Sequence, residues 1–299
     1  MPSVLRLSAA LLLLLAVTAA YAANERTFDR QVPAQPRGIV DVSNVSGEVE
    51  VSGWDRSEVS VHAELGSGVD RVEVSSEGGH TGIKVILPHS SGHGGDARVQ
   101  VKIPKDSELN VSAVSADVTT KGVLGVQRLN TVSGNMAAEL GGADVELKTV
   151  SGDLKAHGHG QPAHLRLSTV SGDVHLEHGA GDVEASTVNG TLIVSLDSAH
   201  SVRAHTTSGN VRFAGKLAPG AQLEATSISG DLEVRASAEE GFSYEVSSFS
   251  GDISDCFNTS AERVSKYGPG TRLDGKRGQG AGHVRLKTMS GDVQLCDRL

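Results

Sequence analysis

One tetrapeptide, Val-Ser-Gly-Asp with small variations, recurs along this chain and constrains its fold more than any other feature. Marked by its Ser, it falls at Ser46, Ser115, Ser133, Ser151, Ser171, Asn189 (in place of Ser), Ser208, Ser229, Ser250 and Ser290. From Ser115 the steps are 18, 18, 20, 18, 19, 21, 21 and then 40 residues. The last step is about two periods and carries an insertion over 257–282. Self-similarity at a fixed short period is the mark of a stacked-repeat architecture.

Aligned on that Ser, the repeats share four apolar columns. Three residues after it come Val118, Met136, Leu154, Val174, Leu192, Val211, Leu232, Ile253 and Val293. Four before it come Val111, Leu129, Leu147, Leu167, Ala185, Ala204, Ala225, Val246 and Leu286. Six before it the preference continues through Leu109, Leu165, Val183, Val202, Leu223 and Val284, with Val145 implying a one-residue offset in the neighbouring coil. One before it come Val114, Val132, Val150, Val170, Val188, Thr207, Ile228, Phe249 and Met289. Polar residues alternate with these, which is the pattern of short half-buried strands. Each unit thus holds two strands, with a tight Ser-Gly corner between them, since Gly tolerates dihedrals that other residues do not.

A unit of about 19 residues cannot bury its apolar face alone. Stacking equivalent strands in register, about 4.8 Å apart, turns every column into a ladder. The expected fold is therefore all-β: a single-domain parallel β-solenoid, roughly 40 Å long for nine steps of that rise. Antiparallel hairpins would demand two alternating unit types, and only one is seen. Residues 23–105 read as less regular β coils at the N-terminal end, joined to the array by Ser46-Gly47-Glu48, and 106–299 as the repeat array proper.

Aromatic residues make up only 3% of the chain, while Gly numbers 36, which suits a narrow core of thin layers rather than a large globular one. Five of the aromatics, Phe242, Tyr244, Phe249, Phe257 and Tyr267, cluster late in the chain and read as a cap over the last coil. Residues 1–22 read as a cleavable secretory leader: Arg6, an apolar run from Ala9 to Val17, then the small-x-small site Ala20-Tyr21-Ala22. The expected compartment is the periplasm or cell surface, with no transmembrane segment in the mature chain. The net charge of −9, or −10 once Arg6 leaves with the leader, excludes the basic footprint that nucleic-acid binding needs.

The chemistry-bearing residues are numerous but repetitive. No Gly-x-Ser-x-Gly elbow supports a Ser hydrolase, and the recurring Ser is a corner residue in every unit. Asp117, Asn135, Asp153, Asp173, Thr191, Asn210, Asp231, Asp252 and Asp292 form a column two residues after the Ser. Stacked carboxylates attract calcium or else accept backbone N–H groups at the corner, and the Asn and Thr members that dilute the charge favour the second role. His157, His159, His164, His175 and His178 lack a ligand spacing and read as exposed turn and outer-face residues. No catalytic residue, cofactor site or metal site is expected.

The opening run Asn44-Val45-Ser46-Gly47-Glu48-Val49-Glu50-Val51-Ser52-Gly53-Trp54-Asp55-Arg56, followed by the Thr-Val-Ser-Gly-Asp repeats, resembles the bacterial putative-adhesin family of β-strand-repeat domains. The segment Ser265-Lys266-Tyr267-Gly268-Pro269-Gly270 and the ending Gly291-Asp292-Val293-Gln294-Leu295-Cys296 resemble its members from Gram-negative envelopes. The resemblance implies an envelope or secreted β-solenoid, adhesin-like and without catalytic residues; the partner expected of such a module is an envelope protein or glycan whose identity the sequence does not give. Two rivals stand beside it: a β-helix polysaccharide hydrolase or lyase, which needs an outward cleft with two carboxylates, and a self-assembling envelope scaffold.

Cys256 and Cys296 are the only cysteines, and each lies six residues after a corner Ser. If the Ser250 and Ser290 corners are adjacent, the two Cα atoms stack within disulfide range. A disulfide in an oxidising compartment is expected, pinning a final coil that has no neighbour on its far side.

Overall fold

The computed structural model describes residues 26–88, 95–257, 259–264 and 269–297, and all of its regular structure is β. The expected leader and Tyr267 lie outside the described residues. Among the described residues no helix is long and apolar enough to cross a membrane.

Parallel pairing joins each coil to the next. Val145–Lys148 lies between Gln127–Asn130 and Pro162–Ser168, and Leu154–His157 lies between Met136–Glu139 and Val174–Asn189. The corner residues bridge in sequence, Ser133 to Ser151, Ser151 to Ser171 and Ser171 to Asn189. The core is one continuous cluster of thin layers, in which Leu109, Leu129, Leu147, Leu154, Leu167, Val174 and Leu192 are all buried. Gln127, not Val126, pairs with Val145, so the suspected offset does not exist. Its buried amide is fully used: Thr120 Oγ1 donates to Oε1 at 2.6 Å, and Nε2 donates to the Val123 and Glu139 carbonyls.

The corner explains the recurring Gly of the repeat, which gives way to Ala only at Ala116. Gly172 has φ of +151°, and a Cβ there would sit 2.1 Å from the Gly152 carbonyl oxygen of the neighbouring coil. At Gly172 the coils approach too closely for an unstrained Cβ.

At both ends, order in the chain departs from order in the stack. Strand Ile39–Trp54 pairs with Glu108–Lys121 on one side and with His80–Ile86 and Ala97–Pro104 on the other. The later segment is therefore the outer coil. Antiparallel strands cover it: Glu58–Leu65 on Ala97–Pro104, Arg26–Pro33 on Glu58–Leu65, and Arg71–Glu77 on His80–Ile86. At the other end, Gly282–Ser290 and Val293–Cys296 insert between the Ser229 coil and the Ser250 coil, with Ser290 opposite both Ser229 and Ser250. The expectation of a C-terminal coil with a free far side is thus corrected: the last segment is interior, and the outer coil is the one at Ser250. Thr271–Lys276 and Glu262–Arg263 cover that coil with antiparallel strands.

Phe242 and Tyr244 are buried in this end, and Phe257 packs against both at centroid distances of 6.4 and 5.7 Å. Phe249 does not join them. It is 56% exposed, which removes it from the cap. Cys256 and Cys296 are joined in a disulfide, with Cα atoms 4.9 Å apart, tying the outer coil to the inserted one.

A candidate interaction face along the corner ridge

The corner column of Val residues is the main surprise of the surface. Its apolar character suggests a core ladder, yet Val114, Val132, Val150, Val170, Val188, Ile228, Met289 and Phe249 are each 41–56% exposed. In stack order they form one line, with half-buried Thr207 between Val188 and Ile228. Side-chain parity explains the outcome. Positions six, four and two before the Ser share one face of the strand, and the position one before it takes the other.

The inward place at the corner is therefore held by hydroxyls. Thr131, Thr149, Thr169, Thr187, Thr206, Ser227, Thr288 and Ser248 are all buried. Thr169 Oγ1 donates to the Gly152 carbonyl at 3.2 Å, Thr187 Oγ1 to the Gly172 carbonyl at 3.2 Å, and Ser227 Oγ to the Gly209 carbonyl at 3.2 Å. A hydroxyl that reaches the neighbouring coil's turn is satisfied indoors, where a Val would leave that carbonyl short of a donor. The result is a polar ladder inside and an apolar ridge outside. Two runs of small polar residues flank the ridge. One is the exposed corner Ser column itself. The other contains Ser112, Asn130, Ser168, Ser186, His205, Thr226 and Ser247, with Lys148 and Lys287 as its only charged members.

The Asp column is occupied by backbone. Asp117 Oδ1 accepts the Asn135 N–H at 2.7 Å, Asn135 Oδ1 the Asp153 N–H at 2.9 Å, and Asp153 Oδ1 the Asp173 N–H at 2.9 Å. The same step recurs from Asp231 to Asp292 and from Asp292 to Asp252, both at 2.9 Å. Each of these side-chain oxygens thus stitches its coil to the next. The His residues scatter among ion pairs and ring contacts. His164 lies 3.1 Å from Asp182, His178 lies 3.2 Å from Asp197, and the ring of His157 sits 5.6 and 5.4 Å from those of His159 and His178. Among the described residues no group of three or more His, Cys, Asp or Glu side chains is placed to hold a metal ion.

On the outer face beyond the corner lies an open cleft of about 510 Å³, lined by Lys121, Glu139, Asp153, Lys155, His175 and Glu177 among others, and by no aromatic side chain. Glu139 Oε2 accepts the Gly122 N–H at 2.9 Å, and Glu177 lies 3.6 Å from His157 Nδ1. An outward cleft with carboxylates is therefore present.

The Toastrack DUF4097 family model matches residues 41–296. The chain belongs to that family. This agrees with the resemblance carried by Asn44–Arg56 and the repeats. Among solved structures, a "putative adhesin" from Bacteroides fragilis is similar at 11% identity, covering 91% of this chain and 98% of that one, with a TM-score of 0.45. A "putative adhesin" from Parabacteroides merdae is similar at 11% identity, covering 91% and 97%, with a TM-score of 0.45. A "putative cell adhesion protein" from Clostridium sporogenes is similar at 9% identity, covering 91% and 99%, with a TM-score of 0.24. No curated protein matches the chain.

Proposed function

We propose that this Toastrack-family chain is a non-enzymatic, exported cell-envelope module, adhesin-like, that acts by presenting an extended face to a partner. The observation that carries the reading is the exposed ridge from Val114 to Phe249. A contiguous apolar strip of this kind on a protein surface marks an interaction site. In this reading 1–22 is a leader removed on export, 23–105 and 106–299 form the working solenoid, and the compartment is the periplasm or cell surface. The Cys256–Cys296 disulfide suits an oxidising location. The partner is an envelope protein or glycan.

Binding of the purified protein to a glycan array and to isolated envelopes tests the reading. Paired Val150→Asp and Val170→Asp changes should abolish the binding, and Lys155→Asp should leave it intact. Binding that survives the ridge changes sinks the proposal.

The cleft lined by Glu139, Asp153 and Glu177 favours a second reading, a polysaccharide hydrolase or lyase. It requires turnover of an envelope polysaccharide that Glu139→Gln or Glu177→Gln abolishes. In the first reading no such turnover occurs.

A further inference from the structure

We propose that the ridge seats a second copy of the same chain, packed ridge against ridge in an antiparallel pair. This rests on the reading of the ridge as the interaction face and names what covers it.

The pitch argues for a second copy. Knobs on the ridge come from successive coils, so they repeat every ~4.8 Å over about eight steps. A partner helix advances ~5.4 Å per turn and would slip by about one whole knob over that length. A second copy carries the matching pitch over the full ridge. A two-fold axis across the rod lays the two combs antiparallel, so that the knobs of one fall between the knobs of the other.

Area is sufficient. Side chains 41–56% exposed along the ridge leave roughly 600 Å² of apolar surface per copy, so a pair buries roughly 1,200 Å², at the lower edge of specific interfaces.

Charge permits the contact along the ridge. A chain of net charge −9 repels its own copy. The two columns flanking the ridge hold no carboxylate and include Lys148 and Lys287. The nearest regular carboxylate column, at Asp153 and its equivalents, is turned to backbone N–H groups. Two acidic bodies therefore meet at reduced electrostatic cost along this strip. The covering antiparallel strands at both ends oppose end-to-end growth, so the assembly closes at two.

Sedimentation equilibrium of the disulfide-intact protein from about 1 to 100 µM decides it, a range that captures a micromolar dissociation constant. The expected result is a monomer–dimer equilibrium that the paired Val150→Asp and Val170→Asp changes weaken at least ~30-fold, with unchanged circular dichroism. Paired Val150→Thr and Val170→Thr changes keep the branched shape and should weaken the dimer several-fold, which covers the case in which the Asp variant does not fold. A wild-type monomer across the range overturns the proposal, as does a dimer that neither pair of changes weakens. A monomer that instead floats with phosphatidylglycerol vesicles overturns it in favour of a lipid surface. If the protein is monomeric and the ridge changes still abolish envelope binding, the pair falls while the interaction-face reading stands.

Discussion

Replacing one corner glycine isolates the contact that sets the spacing of the coils. Two glycines with positive φ make the comparison. Gly172 has φ of +151°, and an added Cβ meets the Gly152 oxygen at 2.1 Å and its carbon at 2.6 Å. Gly220 has φ of +76° with nothing within 4 Å of an added Cβ. Gly220→Ala therefore incurs only the backbone cost of a non-glycine residue in that region, about 1–2 kcal/mol. Gly172→Ala incurs a comparable cost and must also push a neighbouring backbone about 1 Å away, because a close-packed interior has no slack to absorb it. The Gly152 carbonyl that moves is the acceptor of the buried Thr169 hydroxyl. The Gly172 N–H donates to Asn189 across the next interface at 3.1 Å. Loosening these two bonds at a dry corner adds about 1–3 kcal/mol each. The total for Gly172→Ala is roughly 3–8 kcal/mol, a large part of the stability of an ordinary domain. Urea melts followed by circular dichroism would read both variants, with the m-value checking that the transition stays cooperative. If Gly172→Ala falls within about 1 kcal/mol of Gly220→Ala, the close approach does not set the corner and the reasoning fails.

Other perturbations separate the inside of the rod from the outside. Leu154→Asp, at a wholly buried position between Met136 and Val174, should cost several kcal/mol, while the outward neighbour Lys155→Asp should stay within about 0.5 kcal/mol; equal losses in thermal melts would mean the strand parity is misassigned. Reduction of Cys256–Cys296, which closes a 40-residue separation, should lower stability by roughly 3–4 kcal/mol in the chain-entropy model, and hydrogen exchange should locate the loosening in 242–296; unchanged exchange there refutes the tie. The hydrogen bond from Lys148, with the nearby Arg166 and Arg128 charges, holds the Glu146 carboxyl below its ordinary value against the opposing effect of burial. A depressed carboxyl contributes stability that is complete above the ordinary Glu range and is lost as pH falls through the folded value. Glu146→Gln should therefore flatten the acid limb of the stability profile below about pH 4.5, and an unaltered limb in urea melts at pH 3–6 would show that this pair contributes nothing.

Much of this architecture is legible in the repeats, and the departures from it have physical causes. The columns three after, four before and six before the Ser face inward, because their apolar side chains keep strand parity on either side of the corner. Hydrophobicity alone would place Val150 and its equivalents in the core. Counting from Leu147 through Thr149 places Val150 on the opposite face, and the regular Thr at 131, 149, 169 and 187 was the signal that a hydroxyl is held inside. The cleft by Lys155 was invisible for a different reason. It opens where small Ala137 pairs with Lys155, with Glu139 and Asp153 also in its lining, and such relief depends on side-chain size across neighbouring coils rather than on any motif within one.

The insertion of the C-terminal segment left a trace that can be read without coordinates. Five residues before each corner stands an outward side chain, and in stack order these run Arg128, Glu146, Arg166, Glu184, Arg203, Glu224, Arg285, Glu245. The sign alternates at every step. In chain order the run would end Glu224, Glu245, Arg285, placing two carboxylates directly opposite each other. Opposite charges facing across adjacent strands are worth a few tenths of a kcal/mol to about 1, and like charges cost similarly, so the ladder favours one stacking order over the other. Arg285 lies 3.2 Å from Glu245, and Arg166 lies 2.6 Å from Glu184. The ladder is exposed and screened, so it is a weak stabiliser and a better device for register and order. It selects the arrangement in which residues 282–296 slide between two earlier coils, and the Cys256–Cys296 bond then holds that arrangement in place.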